Sequence, residues 1–336
     1  MKRPFVNLKG ENTVRELLDV LKKSLRTFTG LHGLAGIILA GGLSRGYADY
    51  LSEIDLVIFL REKEYFEYKN GACPFALGIS VIDGYLYDIK IMNFDEEKNK
   101  VYDSVALWDL SYAFIVHDPD NLIDDFIKLK LSKPIDILSA TGFMWNAYWF
   151  YKLAGDIWIH RHDTLQGHFV FNQVIKPLLS ALFIANKEYI PHEKWIIHMA
   201  RSLSWKPHNW ETLLAGAMNT GDFSIQSLLD RQQCIDKLWN SINKKICELS
   251  GFGAELDITQ KKRFESLKQL ISKNEYTLDE WQSVESLDTL NYEPFHSIFV
   301  RVGDLIILDK NALMNSKPDD FYEWMYKIVV QVRKEL

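Results

Sequence analysis

Residues 39–57 read LAGGLSRGYADYLSEIDLV. A short apolar run from Ala35 to Ala40 stops at Gly41-Gly42, and a second run extends from Ile54 to Leu60. The length and β-branching of both runs predict two buried strands joined through a glycine turn. Side chains at i and i+2 of a strand share a face, so Glu53 and Asp55 project together while Ile54 and Leu56 turn toward the core. Two neighbouring carboxylates repel each other, and a bound divalent cation removes that repulsion. Hard oxygen ligands of this kind suit Mg²⁺ or Mn²⁺ held jointly with substrate phosphates. Glycines at the turn let backbone N–H groups approach phosphate oxygens with no Cβ in the way.

Working outward, the segment FALGISVIDGYLYDIKIMNF, which ends at Phe94, places Asp83-Gly84 between two alternating runs. Asp-Gly is a strong hairpin signal because a type I′ turn needs positive φ at both central positions. In the second run Tyr85, Tyr87, Ile89 and Ile91 share one face, and Leu86, Asp88 and Lys90 share the other. If this strand lies beside the Ile54–Leu60 run, Asp88 completes an acidic triad with Glu53 and Asp55. In-line phosphoryl or nucleotidyl transfer needs such a cluster: bound metal lowers the pKa of the attacking hydroxyl, holds the triphosphate and stabilises the leaving group.

The run AGGLSRGYADYLSEIDLV (40–57) resembles the signature of the DNA polymerase β-like nucleotidyltransferase superfamily, in which a glycine turn is followed by S-D-x-D-L. The likeness is to the small bacterial branch that includes aminoglycoside and lincosamide nucleotidyltransferases. The segments FIVHDPD (114–120) and LFIANKEYIPHEKW (182–195) resemble the helical domain that follows the transferase domain in uncharacterised members. The resemblance implies that Gly41 and Gly42 line the triphosphate of ATP, with Arg45 and Ser52 assisting. It implies Glu53 and Asp55 as metal ligands, and Asp88 as a third ligand or as the base for an acceptor hydroxyl. Glu53 departs from the usual Asp by one methylene, and Gly42 stands where the family often has Ser.

The implied fold is α+β: a small mixed-sheet nucleotidyltransferase domain over 1–133, then a helical bundle over 134–250 and a mostly helical extension over 251–336. Lys133-Pro134 marks the first junction, since proline disfavours a helical residue before it. Helices are expected over 12–27, with Asn12 as N-cap, over 139–158, and over 174–187, interrupted or started by Pro177. The GFGAELD stretch (251–257) is a break, and Thr277 to Glu280 fits a capping box. Phe321, Trp324, Met325, Ile328 and Val332 predict one apolar face of a last helix.

Composition limits the function classes. Of 336 residues, 47% are apolar and 25% charged, which is the range of folded globular chains. The 45 acidic against 39 basic residues give a net charge of -6, and this argues against a nucleic-acid partner, which needs surplus Lys and Arg. The start MKRPFVNLKGEN has no apolar h-region, no uninterrupted apolar run approaches a membrane span, and the three cysteines form no CxxC pair. A cytoplasmic protein with no membrane partner is expected. His160, His162 and His168 lack the spacing of a metal site and read as a polar loop. Lys187, Glu188, Glu193 and Lys194 read as helix-end charges, with Glu188 or Glu193 as a conceivable base. Trp195, Trp205 and Trp210 read as core. Two functions follow: nucleotidyl transfer to the hydroxyl of a small molecule or protein, or a catalytically weak member of the fold with a regulatory role, such as a toxin–antitoxin component.

Overall fold

The computed structural model describes residues 11–253 and 255–336. The basic start read above lies largely outside the described residues, as does Ala254 of the GFGAELD stretch. The chain is α+β, and its contacts divide it into two compact units, residues 1–136 with 182–206 and residues 137–181 with 207–336. The boundary falls close to the expected junction, but residues 182–206 return to the first unit instead of belonging to a helical domain. Residues 134–250 and 251–336 do not separate as expected either, because the second unit draws on both.

In the first unit, helix α1 (Val14–Thr29) is followed by strand β1 (Leu34–Leu39), the short turn of helix α2 (Gly41–Ser44) and strand β2 (Ile54–Leu60). The N-cap of α1 is Thr13, one residue after the expected Asn12, whose Oδ1 nonetheless accepts from the Val14 N–H at 3.1 Å. Helix α3 (Glu62–Glu67) leads to the hairpin β3 (Gly78–Ile82) and β4 (Tyr85–Asn93). Its turn has φ of 51° at Asp83 and 84° at Gly84, the conformation that the Asp-Gly pair predicts. Helices α4 (Phe94–Asn99) and α5 (Ser104–Ser111), strand β5 (Phe114–His117) and helix α6 (Leu122–Lys130) complete the run.

The strands form one mixed sheet in the order β3-β4-β2-β1-β5. β2 and β4 are parallel, and the β1–β2, β1–β5 and β3–β4 pairs are antiparallel. One face is covered by α1: Leu17, Leu21 and Phe28 pack with Ile37, Leu39, Ile54, Leu56, Ile58, Tyr87 and Ile89. On the other face Ile38, Phe59, Phe94, Leu110, Ile123 and Phe126 form a second cluster. Segment 114–120, read above as part of a helical domain, supplies β5 instead. A strand of four residues gives too short an alternation to be distinguished from a loop.

The second unit is mostly helical. The expected helix over 139–158 is present as Ala140–Tyr148, a wider turn at Trp149–Ala154 and Gly155–His160. The helix Thr164–Ala185 runs through Pro177 without ending there. Loss of one N–H bond at proline is offset where Val174, Leu178, Leu179 and Ala181 are all buried. That helix is long and apolar enough to cross a membrane, yet 67% of its most apolar window is buried inside the protein, the pattern of a core helix. The helix Ile225–Ser250 stops at Gly251, whose φ of 67° is the left-handed C-terminal cap. Beyond it lies a feature that the sequence reading did not contain, a three-stranded sheet of Glu275–Thr277, Leu305–Leu308 and Phe299–Val302. The Thr277–Glu280 capping box is formed, and the last helix (Glu323–Arg333) buries Trp324, Ile328 and Val332 with Met325 half-buried, while Phe321 is buried just before the helix starts.

Candidate active site

Parallel pairing of β2 with β4 sets Asp55 opposite Asp88, Val57 opposite Lys90 and Phe59 opposite Met92. Because side chains alternate, these rungs share the face away from α1, whereas Ile54, Leu56, Tyr87 and Ile89 are buried beneath. Glu53 sits just before β2. One carboxylate oxygen from each of Glu53, Asp55 and Asp88 lies within 4.8 Å of the other two, and all three side chains are half-buried. Among the described residues no other group of three or more His, Cys, Asp and Glu meets at ligand distance. His168 is instead buried against Arg231, whose guanidinium donates to the His168 carbonyl at 3.0 Å.

Burial, and then the charges of Glu53 and Asp88, push the Asp55 carboxyl up to about 6, against the opposing pull of Lys90 and Lys194. Lys90 Nζ lies 2.9 Å from Asp88 Oδ2, an ion pair inside the cluster. The sequence already placed Lys90 on the Asp88 face, but alternation alone assigns it no partner.

The glycine turn packs directly on this cluster. Gly41 has φ of 67°, and a Cβ there would fall 1.7 Å from Asp55 Oδ2, so only glycine can occupy the position. The Ala40 N–H donates to the Asp55 carbonyl at 2.9 Å, which fixes the register of turn and strand. At Gly42 a Cβ would stand 3.1 Å from the Tyr47 carbonyl.

Arg45 is held differently from a free phosphate ligand. Its side chain is 3% exposed, is ion-paired with Asp109 of α5, and lies over the rings of Trp108 at 4.0 Å and Trp195 at 5.6 Å. Burial lowers its pKa from the usual arginine value, and its Nε has no hydrogen-bond partner among the described residues. Ser52 is also engaged locally. Its Oγ accepts from the Asp49 N–H at 2.9 Å and donates to Asp49 Oδ1 at 3.2 Å, closing the turn that delivers Glu53.

A cleft of about 870 Å³ opens over the triad. Gly41, Gly42, Arg45, Ser52, Glu53, Asp55 and Asp88 all line it, and so do Lys90, His192, Lys194 and Trp195. Sequence reasoning treated Trp195 as core and Lys194 as a helix-end charge. The return of residues 182–206 to the first unit brings both to the cleft, a long-range event with no local signal. Glu188 and Glu193 are not among the cleft residues, and burial raises the Glu188 carboxyl. Trp205 and Trp210 are likewise elsewhere.

No protein-family model matches the chain, and no curated protein matches it. Among solved structures, a nucleotidyltransferase-like protein from Exiguobacterium sibiricum 255-15 is similar at 9% sequence identity and a TM-score of 0.41, with 87% of this chain and 98% of that chain covered.

Proposed function

We propose that this chain is a metal-dependent nucleotidyltransferase that moves a nucleoside monophosphate, AMP from ATP, onto a hydroxyl of a small molecule or a protein and releases pyrophosphate. The observation that carries the reading is the meeting of Glu53, Asp55 and Asp88 within 4.8 Å against a glycine turn. The donor set fits a hard divalent ion: every ligand is a carboxylate, and burial together with the charges of Glu53 and Asp88 raises the Asp55 pKa. Mg²⁺ or Mn²⁺ in this place supplies Lewis-acid polarisation of the phosphoryl group and a lowered pKa for the attacking hydroxyl.

The chain's own residues divide the remaining work. Glu53 and Asp55 hold the ion, and Asp88 takes the hydroxyl proton as the acceptor oxygen bonds to the α-phosphorus and the bond to the β-phosphate breaks. Gly41 and Gly42 open the α2 turn, where the first N–H groups have no partner within the helix and can face phosphate oxygens. Lys194, which lines the same cleft, adds a positive charge for the triphosphate. Arg45 positions: through Asp109 and the two indoles it holds the glycine turn to α5 and to residue 195. Ser52 keeps Glu53 in place through its turn. The compartment we propose is the cytoplasm, in keeping with three free thiols.

A second reading, a catalytically weak regulatory member of the fold, is favoured by one observation: Lys90 already occupies part of Asp88. Incubation with Mg²⁺, each labelled NTP and a set of hydroxyl acceptors separates the two. Labelled product from ATP with pyrophosphate release is expected. If no acceptor is labelled, and Asp55→Asn binds ATP-Mg²⁺ as the parent does, the transferase reading is wrong.

A further inference from the structure

Nucleotidyl transfer on three carboxylates is ordinarily served by two divalent ions, and in this chain a lysine stands inside the carboxylate cluster. Lys90 follows Asp88 by two residues on the same strand, so its side chain leaves the sheet on the triad face. Its ammonium rests 2.9 Å from Asp88 Oδ2, and the side chain as a whole is mostly exposed. The formal charge of Glu53, Asp55 and Asp88 is -3, and Lys90 brings this to -2, the charge that one divalent ion balances. A second divalent ion on Asp88 would have to approach against the repulsion of the ammonium beside Oδ2. Lys194, which has no ion pair among the described residues, also lines the cleft, and its charge acts on Asp55.

We infer that Lys90 replaces the second metal ion: the chain binds a single divalent cation between Glu53 and Asp55, and Asp88 is kept metal-free by the lysine beside it. This inference rests on the transferase reading only in taking the triad to be a cation site. It assigns Lys90 a positioning role, since it acts on the reaction through Asp88.

The test counts ions on the whole chain with MnCl₂ alone, by calorimetry and by the paramagnetic resonance signal of free Mn²⁺. The parent is expected to bind one equivalent. Lys90→Met keeps the length of the side chain but removes the charge, and is expected to bind two. Lys90→Arg keeps the charge and is expected to stay at one, which guards against a loss of fold being read as a change in site. Two equivalents on the parent, or one on Lys90→Met, would overturn the inference while leaving the triad as a cation site. An Asp55→Asn chain that binds Mn²⁺ as the parent does, or a parent that binds none, would remove the cation site itself and the inference with it.

Discussion

Gly41 and Asp55 approach so closely that a Cβ on residue 41 would lie 1.7 Å from the Asp55 carboxylate. The glycine is therefore part of the acidic site's geometry and not merely a flexible link. Gly41→Ala has to move either the carboxylate or the turn, and it also forces an alanine to hold φ near 67°. The strain alone costs on the order of 1–3 kcal/mol. Gly46 supplies the control, since its φ is 91° with nothing within 4 Å of a Cβ. Gly46→Ala should cost comparable stability but leave Mn²⁺ affinity intact, whereas Gly41→Ala should lower that affinity at least tenfold. Equal Mn²⁺ affinities in the two variants would show that the close approach does not matter to the site.

The raised carboxyl of Asp55 gives a pH dependence with a definite sign. Its folded value is about 6, against an ordinary 3.8. Between those two values the folded chain holds a proton that the unfolded chain has lost, so stability falls as pH rises across the window. Above about pH 6 the full penalty is in force. Each unit is worth about 1.4 kcal/mol, and with a half-buried group partly screened by solvent the penalty comes to about 1–2 kcal/mol. Urea unfolding at pH 7.5 should find Asp55→Asn more stable than the parent by that amount, with a flatter profile between pH 4 and 6.5. Saturating Mg²⁺ should raise the parent's Tm but not that of the variant. A parent profile that rises through this window would contradict the assignment.

Residues whose meaning is local were legible in the sequence. Gly41-Gly42, the i, i+2 acidic pair and the Asp83-Gly84 turn are each set by neighbours in the chain, so pattern alone located three of the carboxylate and turn elements. Asp88 needed one further step, the parallel pairing of β4 with β2, which alternation suggests but cannot fix. Arg45 was harder. Its partner Asp109 lies on a different helix, and a sequence cannot say that an arginine after a glycine turn will be enclosed by two indoles. Lys194 and Trp195 were the least accessible, because their place depends on residues 182–206 crossing back to the first unit after a long helical excursion. The three-stranded sheet of the second unit was missed for a related reason: Glu275–Thr277 has only three residues, and it pairs with a strand about thirty residues away through long-range contacts.

The Arg45–Asp109 pair should respond unequally to loss of either partner. Arg45 is 3% exposed and Asp109 is 48% exposed at the side chain. Removing the arginine leaves a carboxylate that water can solvate. Removing the carboxylate leaves a guanidinium buried between aromatic rings without its paired carboxylate, only the Asp55 charge still acting on it, a loss of about 3–5 kcal/mol in such cases. Asp109→Ala is thus expected to cost about 3 kcal/mol in urea unfolding, and Arg45→Met distinctly less. The reverse order would mean that the guanidinium contributes mainly through packing on Trp108.

Lys194 offers the cleanest separation of binding from folding. Its side chain lines the cleft and has no ion pair among the described residues, so its removal takes away only a longer-range pull on Asp55. Lys194→Met should change stability by no more than about 0.5 kcal/mol, as for a surface substitution. If the ammonium meets the triphosphate, its loss removes a hydrogen bond to a charged group, about 1.5–3 kcal/mol, which is about 10–100-fold in affinity. Titration with an ATP analogue carrying a methylene between the α- and β-phosphates should show that loss, and adenosine, which has no phosphates, should bind parent and variant alike. The parent's analogue affinity should also fall more steeply with added salt than the variant's, because one fixed charge has been taken from the cleft. A variant that binds the analogue as tightly as the parent would move Lys194 out of the phosphate site and leave the glycine turn as its remaining donor.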